Sequence, residues 1–198
     1  MTAYRLRLAS AADAEAICRI YNQGIEDRVA TLETELRTPD ERRQWLASRG
    51  ARNPVIVAEL EPEGLSGQAS KGLSGQAEPA RASLSAPSVQ AGLTAPATIG
   101  WASLNVFNAR EAYRFVADIS VYVERGWRGK GVGRVMLEKL VELGRTHGYH
   151  KLVLSAFPDN AGGMALYTKS GFRTVGIYHE QGQLDGKWVD TIIMEKVL

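Results

Sequence analysis

A glycine-rich segment between a strand-like run and a helical run constrains this chain more than any other feature. Residues 121–134 read Val-Tyr-Val-Glu-Arg-Gly-Trp-Arg-Gly-Lys-Gly-Val-Gly-Arg. Glycines at alternate positions let the backbone turn tightly, with several N–H groups facing one point at the positive end of the following helix. The segment therefore predicts an anion site suited to a diphosphate. Its predicted contacts are Arg128, Gly129, Lys130, Gly131, Val132, Gly133 and Arg134.

The sequence of this loop excludes two other phosphate-binding motifs. A Walker loop requires Ser or Thr after its Gly-Lys, but Gly131 follows Lys130. A dinucleotide fingerprint requires a glycine three residues after Gly133, where the chain has Met136. A plain surface turn is the remaining alternative. The position of the loop between a β-branched strand and an amphipathic helix weighs against that alternative.

The order of periodic segments predicts an α/β fold. Residues 115–123 alternate between apolar and polar side chains as a strand does, and residues 131–146 carry an apolar stripe at helical spacing. Further strand and helix patterns alternate along the chain, and two strand patterns close it. We therefore expect one domain over residues 1–198, with a mixed central sheet and helices on both faces.

Residues 61–97 interrupt this order. They are rich in Gly, Ser, Ala, Gln and Pro, and they contain GLSGQA twice, starting at Gly64 and Gly72. The segment has no periodic apolar face, so it cannot offset the entropy of its own ordering. We expect a low-complexity flexible insertion between two strands, and a tether without a role is the simplest interpretation.

Two motifs resemble the acetyl-CoA sites of the GNAT superfamily of N-acetyltransferases. Arg128-x-x-Gly131-x-Gly133 matches the pattern R/Q-x-x-G-x-G/A, and residues 160–172 resemble N-x-x-[SA]-x-x-L-Y-x-x-x-G-F, with Gly163 as a departure. The resemblance implies the GNAT fold, a mixed sheet of about six or seven strands flanked by about four helices. It also implies acetyl-CoA as co-substrate, with these further contacts: the backbones of Val121, Tyr122 and Val123, and the side chain of Asn160.

Acetyl transfer to an amine requires a base, since amines have a pKa of about 8 to 10 and are mostly protonated at neutral pH. Asp118 is the candidate base, because it lies three residues before Val121 on the polar face of the same strand. Tyr167 is the candidate acid for the departing thiolate. Alternatives stay open: a structural ion pair for Asp118, a helix N-cap for Asn160 and a core aromatic for Tyr167.

A narrower resemblance covers nearly the whole chain outside residues 61–97. Residues 112–123 are similar to the A-Y-x-W-x-x-[ED]-x-[ST]-V-Y-V signature of phosphinothricin acetyltransferases. The resemblance implies α-amine acetylation of phosphinothricin, with arsinothricin, methionine sulfoximine and methionine sulfone as related acceptors. Guanidinium groups suit the oxyanions of such acceptors, although solvated surface arginines are an equal alternative. The candidate acceptor contacts are Arg110, Tyr113, Arg114 and Leu32, and the chain departs from the family by having Leu32 and Tyr167 where an aromatic and a His are common.

The charge and composition of the chain limit the classes of partner that we expect. The net charge is +2, so we expect no nucleic-acid or membrane partner, and the three histidines are too scattered to predict a metal site. The N-terminus lacks an apolar signal stretch, so we expect a cytoplasmic protein, and the resemblance implies a homodimer. Two other functions stay open: acetylation of another metabolite or of protein N-termini, and a non-catalytic acyl-CoA-binding module.

Overall fold

The computed structural model describes residues 4–60 and 97–198, which form seven strands and four α-helices. The predicted insertion at 61–97 lies outside the described residues except for Ala97. The strands are β1 Tyr4–Leu8, β2 Val55–Leu60, β3 Thr98–Val106, β4 Val116–Val123, β5 Lys151–Ala156, β6 Arg173–Leu184 and β7 Lys187–Val197. The helices are α1 Ala14–Glu26, α2 Pro39–Ala47, α3 Val132–Thr146 and α4 Ala161–Lys169. Single 3-10 turns precede α1, β4 and α3.

All seven strands lie in one sheet, in the order β1-β2-β3-β4-β5-β7-β6. The β4–β5 pair is parallel, and every other neighbouring pair is antiparallel. The mixed α/β architecture expected from the sequence is confirmed. The one parallel pair has a physical cause: β4 returns to β5 through the crossover helix α3 instead of a tight turn.

The sheet separates two apolar cores. On one face, α3 packs its Met136, Leu137 and Leu140 onto the sheet, and these side chains are completely buried. On the opposite face, α1 packs against the strands around Trp101 and Val57. Because side chains alternate along β4, its residues are divided between these two faces. Asp118 and the other polar residues of β4 consequently share the α1 face with the second core.

Local signals in the sequence set the ends of the helices. Thr38 caps α2, and the Glu41 amide donates to the Thr38 hydroxyl at 3.3 Å. Gly131 caps α3 with a φ of 86°, a conformation that favours glycine. Asn160 caps α4 and accepts a hydrogen bond from the Gly163 amide at 2.9 Å.

The terminal hairpin is longer than the sequence pattern predicts. The apolar alternation indicates strands at about 172–179 and 188–195, whereas β6 and β7 extend to Leu184 and from Lys187. The extension of β6 is polar because β6 is an exposed edge strand, so hydrophobic periodicity does not mark it. An irregularity between Tyr178 and Gly182, with Glu180 at a φ of 52°, also shifts the register.

Candidate active site

The central feature of the site is a gap between β4 and β5. These strands pair at three positions only, and the last pair joins Asp118 to Val153. Beyond it, the five remaining residues of β4 have no partner on that side among the described residues. Two adjoining cavities, of about 280 and 460 Å³, open on the gap. Both are lined by Val121, Tyr122 and Tyr167, so the cavities meet at the middle of the exposed strand.

Hydrogen-bond alternation identifies the backbone groups that face the gap. The Glu124 amide donates to the carbonyl of Ile99 on the β3 side, at 2.9 Å. In an antiparallel pair these groups alternate, so Tyr122 also directs its amide and carbonyl toward β3. Val121 therefore presents its amide and carbonyl to the gap, and Val123 does the same. The Val123 carbonyl accepts a hydrogen bond from Arg128 Nε at 3.2 Å. The amide and carbonyl of Val121 therefore remain available to a ligand.

The glycine-rich loop closes one end of the larger cavity. Gly129 and Gly131 have φ values of 75° and 86°, in the left-handed region where a side chain is strained. Among the described residues, no acceptor lies within hydrogen-bond reach of the amides of Gly129, Gly131, Val132 and Gly133. Gly133 also permits close helix packing, since an added Cβ would lie 3.2 Å from Leu166 of α4. The loop thus holds four free donors at the start of α3.

The cationic side chains of the loop occupy different environments. Arg128 Nη1 pairs with Asp27 at 2.6 Å, so this guanidinium ties the loop to the end of α1. The Lys130 ammonium lies 5.0 Å from the centre of the Trp127 ring. Arg134 points outward with 69% of its side chain exposed, and its only carboxylate neighbour in the described ranges is Glu138 at 3.8 Å. Arg128 and Arg134 line the larger cavity and Lys130 lines neither, so Arg134 is the more available cation in the cavity and Lys130 lies beside it in the loop.

Asp118 lies in the wall of the smaller cavity. Burial raises the pKa of its carboxyl from 3.8 to about 6, against the opposing effects of hydrogen bonds from Asn105 and the Ile119 amide. No salt-bridge partner reaches this carboxylate among the described residues, so the ion-pair alternative considered from the sequence has no support here. A carboxylate with this pKa is ionised at neutral pH and remains able to accept a proton.

A hydrogen-bond network missed by the sequence analysis supports Asp118. Asn105 on β3 lies opposite Asp118, and its Nδ2 donates to the Asp118 carboxylate at 3.2 Å and to Ser120 Oγ at 3.0 Å. Arg49 Nη2 in turn donates to Asn105 Oδ1 at 3.0 Å. Nothing in the local sequence marks Asn105, because the pairing of β3 with β4 alone brings it to Asp118.

Tyr167 is the only α4 residue apart from the cap that lines the smaller cavity. Burial and the nearby charge of Asp118 raise the pKa of its phenol to about 12. The phenol therefore stays protonated at neutral pH and can act as a hydrogen-bond or proton donor. The structure thus brings the two predicted catalytic side chains, from β4 and from α4, to one cavity.

Asn160 lines both cavities, and both polar atoms of its side chain make hydrogen bonds. Its Oδ1 caps α4, and its Nδ2 donates to the carbonyl of Val29 at 3.1 Å. This residue thus joins α4 to the segment after α1 across the top of the gap. Gly163 permits the arrangement, since an added Cβ would lie 2.9 Å from Asn160 Nδ2. Asn160 is thus the N-cap of α4, as one alternative from the sequence had it. Its contact with a cofactor stays a prediction.

Of the four residues predicted to contact the acceptor, one lines the smaller cavity and three lie outside both cavities. Leu32 lines the smaller cavity and also approaches β6, where an added Cβ on Gly182 would lie 3.0 Å away. Arg110, Tyr113 and Arg114 lie in the connection from β3 to β4 and line neither cavity. Arg114 pairs with Glu111 at 2.6 Å, and Tyr113 packs edge-on against Phe107. Their role in acceptor binding stays a prediction.

Across residues 4–60 and 97–198, no cluster of three or more His, Cys, Asp or Glu side chains is arranged to hold a metal ion. No helix in these ranges is both long enough and apolar enough to span a bilayer.

Comparison with known proteins agrees with this geometry. The model of the acetyltransferase (GNAT) family matches residues 81–172. A methionine sulfoximine/methionine sulfone acetyltransferase of Pseudomonas paraeruginosa is 34% identical over 116 residues, which cover 59% of this chain and 67% of that protein.

Two solved structures share the fold over nearly the whole chain. A phosphinothricin acetyltransferase of Sinorhizobium meliloti in complex with acetyl-CoA is 27% identical with a TM-score of 0.76, covering 100% of this chain and 89% of that one. A ribosomal-protein-alanine N-acetyltransferase of Brucella melitensis is 30% identical with a TM-score of 0.77, covering 98% of this chain and 99% of that one. The seven-stranded sheet with four helices is therefore the GNAT fold, and the chain belongs to the GNAT family of N-acetyltransferases.

Proposed function

We propose that this enzyme transfers the acetyl group of acetyl-CoA to the α-amine of a small amino-acid-like acceptor, of the phosphinothricin, arsinothricin or methionine sulfoximine type. One observation carries the proposal. The gap between β4 and β5 places free loop amides, the free Val121 peptide edge, Asp118 and Tyr167 around two adjoining cavities.

The larger cavity suits the coenzyme. The free amides at the start of α3 would bind the diphosphate, with Lys130 and Arg134 adding positive charge. The pantetheine arm would pair with the Val121 carbonyl and the Val123 amide, as an added strand pairs with a sheet edge. This path places the thioester where the two cavities meet, beside Tyr167.

The smaller cavity suits the reaction with an amine. Asp118 would accept the proton that leaves the acceptor's ammonium group, and the neutral amine would attack the thioester carbonyl carbon. The Val121 amide would stabilise the oxyanion that forms. The C–S bond then breaks, sulfur takes the phenol proton of Tyr167, and the second proton lost by the nitrogen restores the phenol.

The size of the smaller cavity and the named relatives support a small acceptor. A cavity of about 280 Å³ has room for an amino acid. One similar structure is of a ribosomal-protein-alanine N-acetyltransferase, so acetylation of a protein N-terminus is the second candidate. We also propose that the enzyme acts in the cytoplasm, where acetyl-CoA is available, as the homodimer that the resemblance implies.

The test is a thiol-release assay with acetyl-CoA and a panel of acceptors: phosphinothricin, arsinothricin, methionine sulfoximine, ordinary amino acids and alanine-initiated peptides. We expect release with an amino-acid analogue and a much lower kcat/KM with every peptide. Calorimetry with acetyl-CoA, run in parallel, separates the two halves of the proposal. Tight coenzyme binding without turnover of any amine would contradict catalysis while leaving the coenzyme site intact.

A further inference from the structure

A buried hydroxyl in the wall of the smaller cavity has no partner in the part of the chain that the structure describes. Thr191 lies on β7, is 4% exposed and lines this cavity beside Phe157 and Leu32. Among the described residues, nothing hydrogen-bonds its Oγ1. An unsatisfied buried hydroxyl destabilises the fold, whereas valine would fill the same space without that penalty. In the described rotamer Oγ1 is shielded, and a change of χ1 to another staggered rotamer can turn it toward the cavity that Thr191 lines.

The other polar groups of the cavity are uncharged except for one. Asp118 is the single ionisable carboxylate among the residues that line it, and no Lys, Arg or His from the described part of the chain does so. The hydroxyl groups of Thr31, Ser120, Ser155 and Tyr167 and the side-chain amide of Asn160 complete its polar surface. The α-carboxylate is common to all the proposed acceptors, but an anionic tail placed inside the cavity would lose its hydration without gaining a cation, which is costly. An uncharged oxygen would lose little and could accept a hydrogen bond.

The positions of Thr191 and Asp118 suggest how an acceptor lies. The strand order puts β5 between β4 and β7, so these residues are on opposite sides of the cavity. Asp118 is level with Val153 and Glu195, so two strand spacings across the sheet and four residues along β7 separate the backbones of Asp118 and Thr191 by about 16 Å. Both side chains are on the α1 face of the sheet, as the pairing register shows. An amine held at Asp118 therefore leaves room for a side chain of several bonds before Thr191.

We infer that the Thr191 hydroxyl recognises an uncharged hydrogen-bond-accepting group on the side chain of the acceptor, and that the enzyme consequently favours sulfone or sulfoximine tails over phosphinate tails. The inference rests on the proposed function, because it assumes that the acceptor amine lies at Asp118. It assigns a specificity-determining role to a residue that the sequence analysis did not single out.

The test compares three acceptors at saturating acetyl-CoA: methionine sulfone, which has neutral oxygens, methionine, which has none, and phosphinothricin, which is anionic. The variants are Thr191→Val, which keeps the shape and removes the hydroxyl, and Thr191→Ser, which keeps the hydroxyl. Thr174→Val is the matched control, because Thr174 lies on the exposed strand β6 and lines neither cavity.

We expect the native enzyme to have a higher kcat/KM with methionine sulfone than with either other acceptor. The sulfone-to-methionine ratio of kcat/KM should fall at least about tenfold in Thr191→Val, through a higher KM for the sulfone, and recover in Thr191→Ser. An unchanged ratio in Thr191→Val, or a native preference for phosphinothricin, would overturn the inference and leave the proposed function standing. A native enzyme that binds acetyl-CoA and acetylates no amino acid would overturn both.

Discussion

Asp118 and Val153 form the last register pair between β4 and β5, and the strands separate immediately after them. The predicted base therefore lies at the closed end of the gap, where burial raises the pKa of its carboxyl to about 6. The separation of β4 and β5 thus exposes a peptide edge to which a coenzyme can bind. It also leaves Asp118 in a buried wall that raises the pKa of its carboxyl.

Replacing Asp118 with asparagine should lower kcat/KM at least about a hundredfold, because the isosteric amide cannot accept the amine proton. In the native enzyme, kcat/KM should fall as the pH drops through about 6, since only the ionised carboxylate acts as a base. That limb of the pH profile should be missing in Asp118→Asn. Asp40→Asn, at a carboxylate whose side chain is 82% exposed on α2, is the control. Equal rates in native enzyme and Asp118→Asn would remove Asp118 from the mechanism.

The same substitution should stabilise the fold at alkaline pH. The folded-state pKa of Asp118 is above the ordinary value of 3.8, so ionisation opposes folding. Stability from the protonated form is full below about pH 4 and is lost as the pH rises through about 6. Asp118→Asn should therefore raise the free energy of unfolding at pH 8 by up to about 3 kcal/mol and change it little at pH 4. Urea unfolding at both pH values measures this, and equal effects at the two would contradict it.

Replacing Tyr167 with phenylalanine should lower kcat by about ten- to a hundredfold, because the thiolate loses its proton donor. The ring remains, so its packing against Phe172 and the coenzyme affinity should be retained. Since the pKa of the phenol is about 12, the native profile should show no loss of this donor below about pH 11. A variant with native kcat would exclude Tyr167 as the acid.

Replacing Gly131 with alanine should weaken acetyl-CoA binding at least about tenfold. The residue has a φ of 86°, so alanine strains the turn by about 1–2 kcal/mol and redirects the free amides. Gly148→Ala is the matched control, because Gly148 has a φ of 71°, follows α3 and lines no cavity of the site. Both variants should lose similar stability, and calorimetry should show weaker binding in Gly131→Ala alone. Equal affinities would show that the loop amides do not hold the coenzyme.

Replacing residues 61–96 with Asn-Gly should leave thiol release within about threefold of native. The Leu60 amide donates to the Ala97 carbonyl at 2.9 Å, and Glu59 pairs with Thr98, so a two-residue turn connects the strands in register. The shorter connection should also raise the free energy of unfolding by up to about 2 kcal/mol, since less chain entropy is lost on closure. Loss of folded protein would instead assign a structural role to the removed segment.

The sequence by itself determined the local features of this protein. The left-handed glycines, the caps at Thr38 and Asn160 and the alternation along β4 follow from neighbouring residues, whose chemistry acts within a few positions. These features were enough to predict an α/β fold and the resemblance to the GNAT family, both of which agree with the structure and the comparisons, whereas phosphate binding by the turn stays a prediction.

The tertiary structure alone decided which residues from distant parts of the chain surround the site. Strand pairing brings Asn105 to Asp118, and the sheet order places Thr191 across the cavity from it. The same folding leaves Arg110 and Arg114 outside the cavity, although both are near Asp118 in sequence. These relationships depend on the register and divergence of strands that are distant along the chain. No local pattern encodes them, because they arise when the whole sheet packs between its helices.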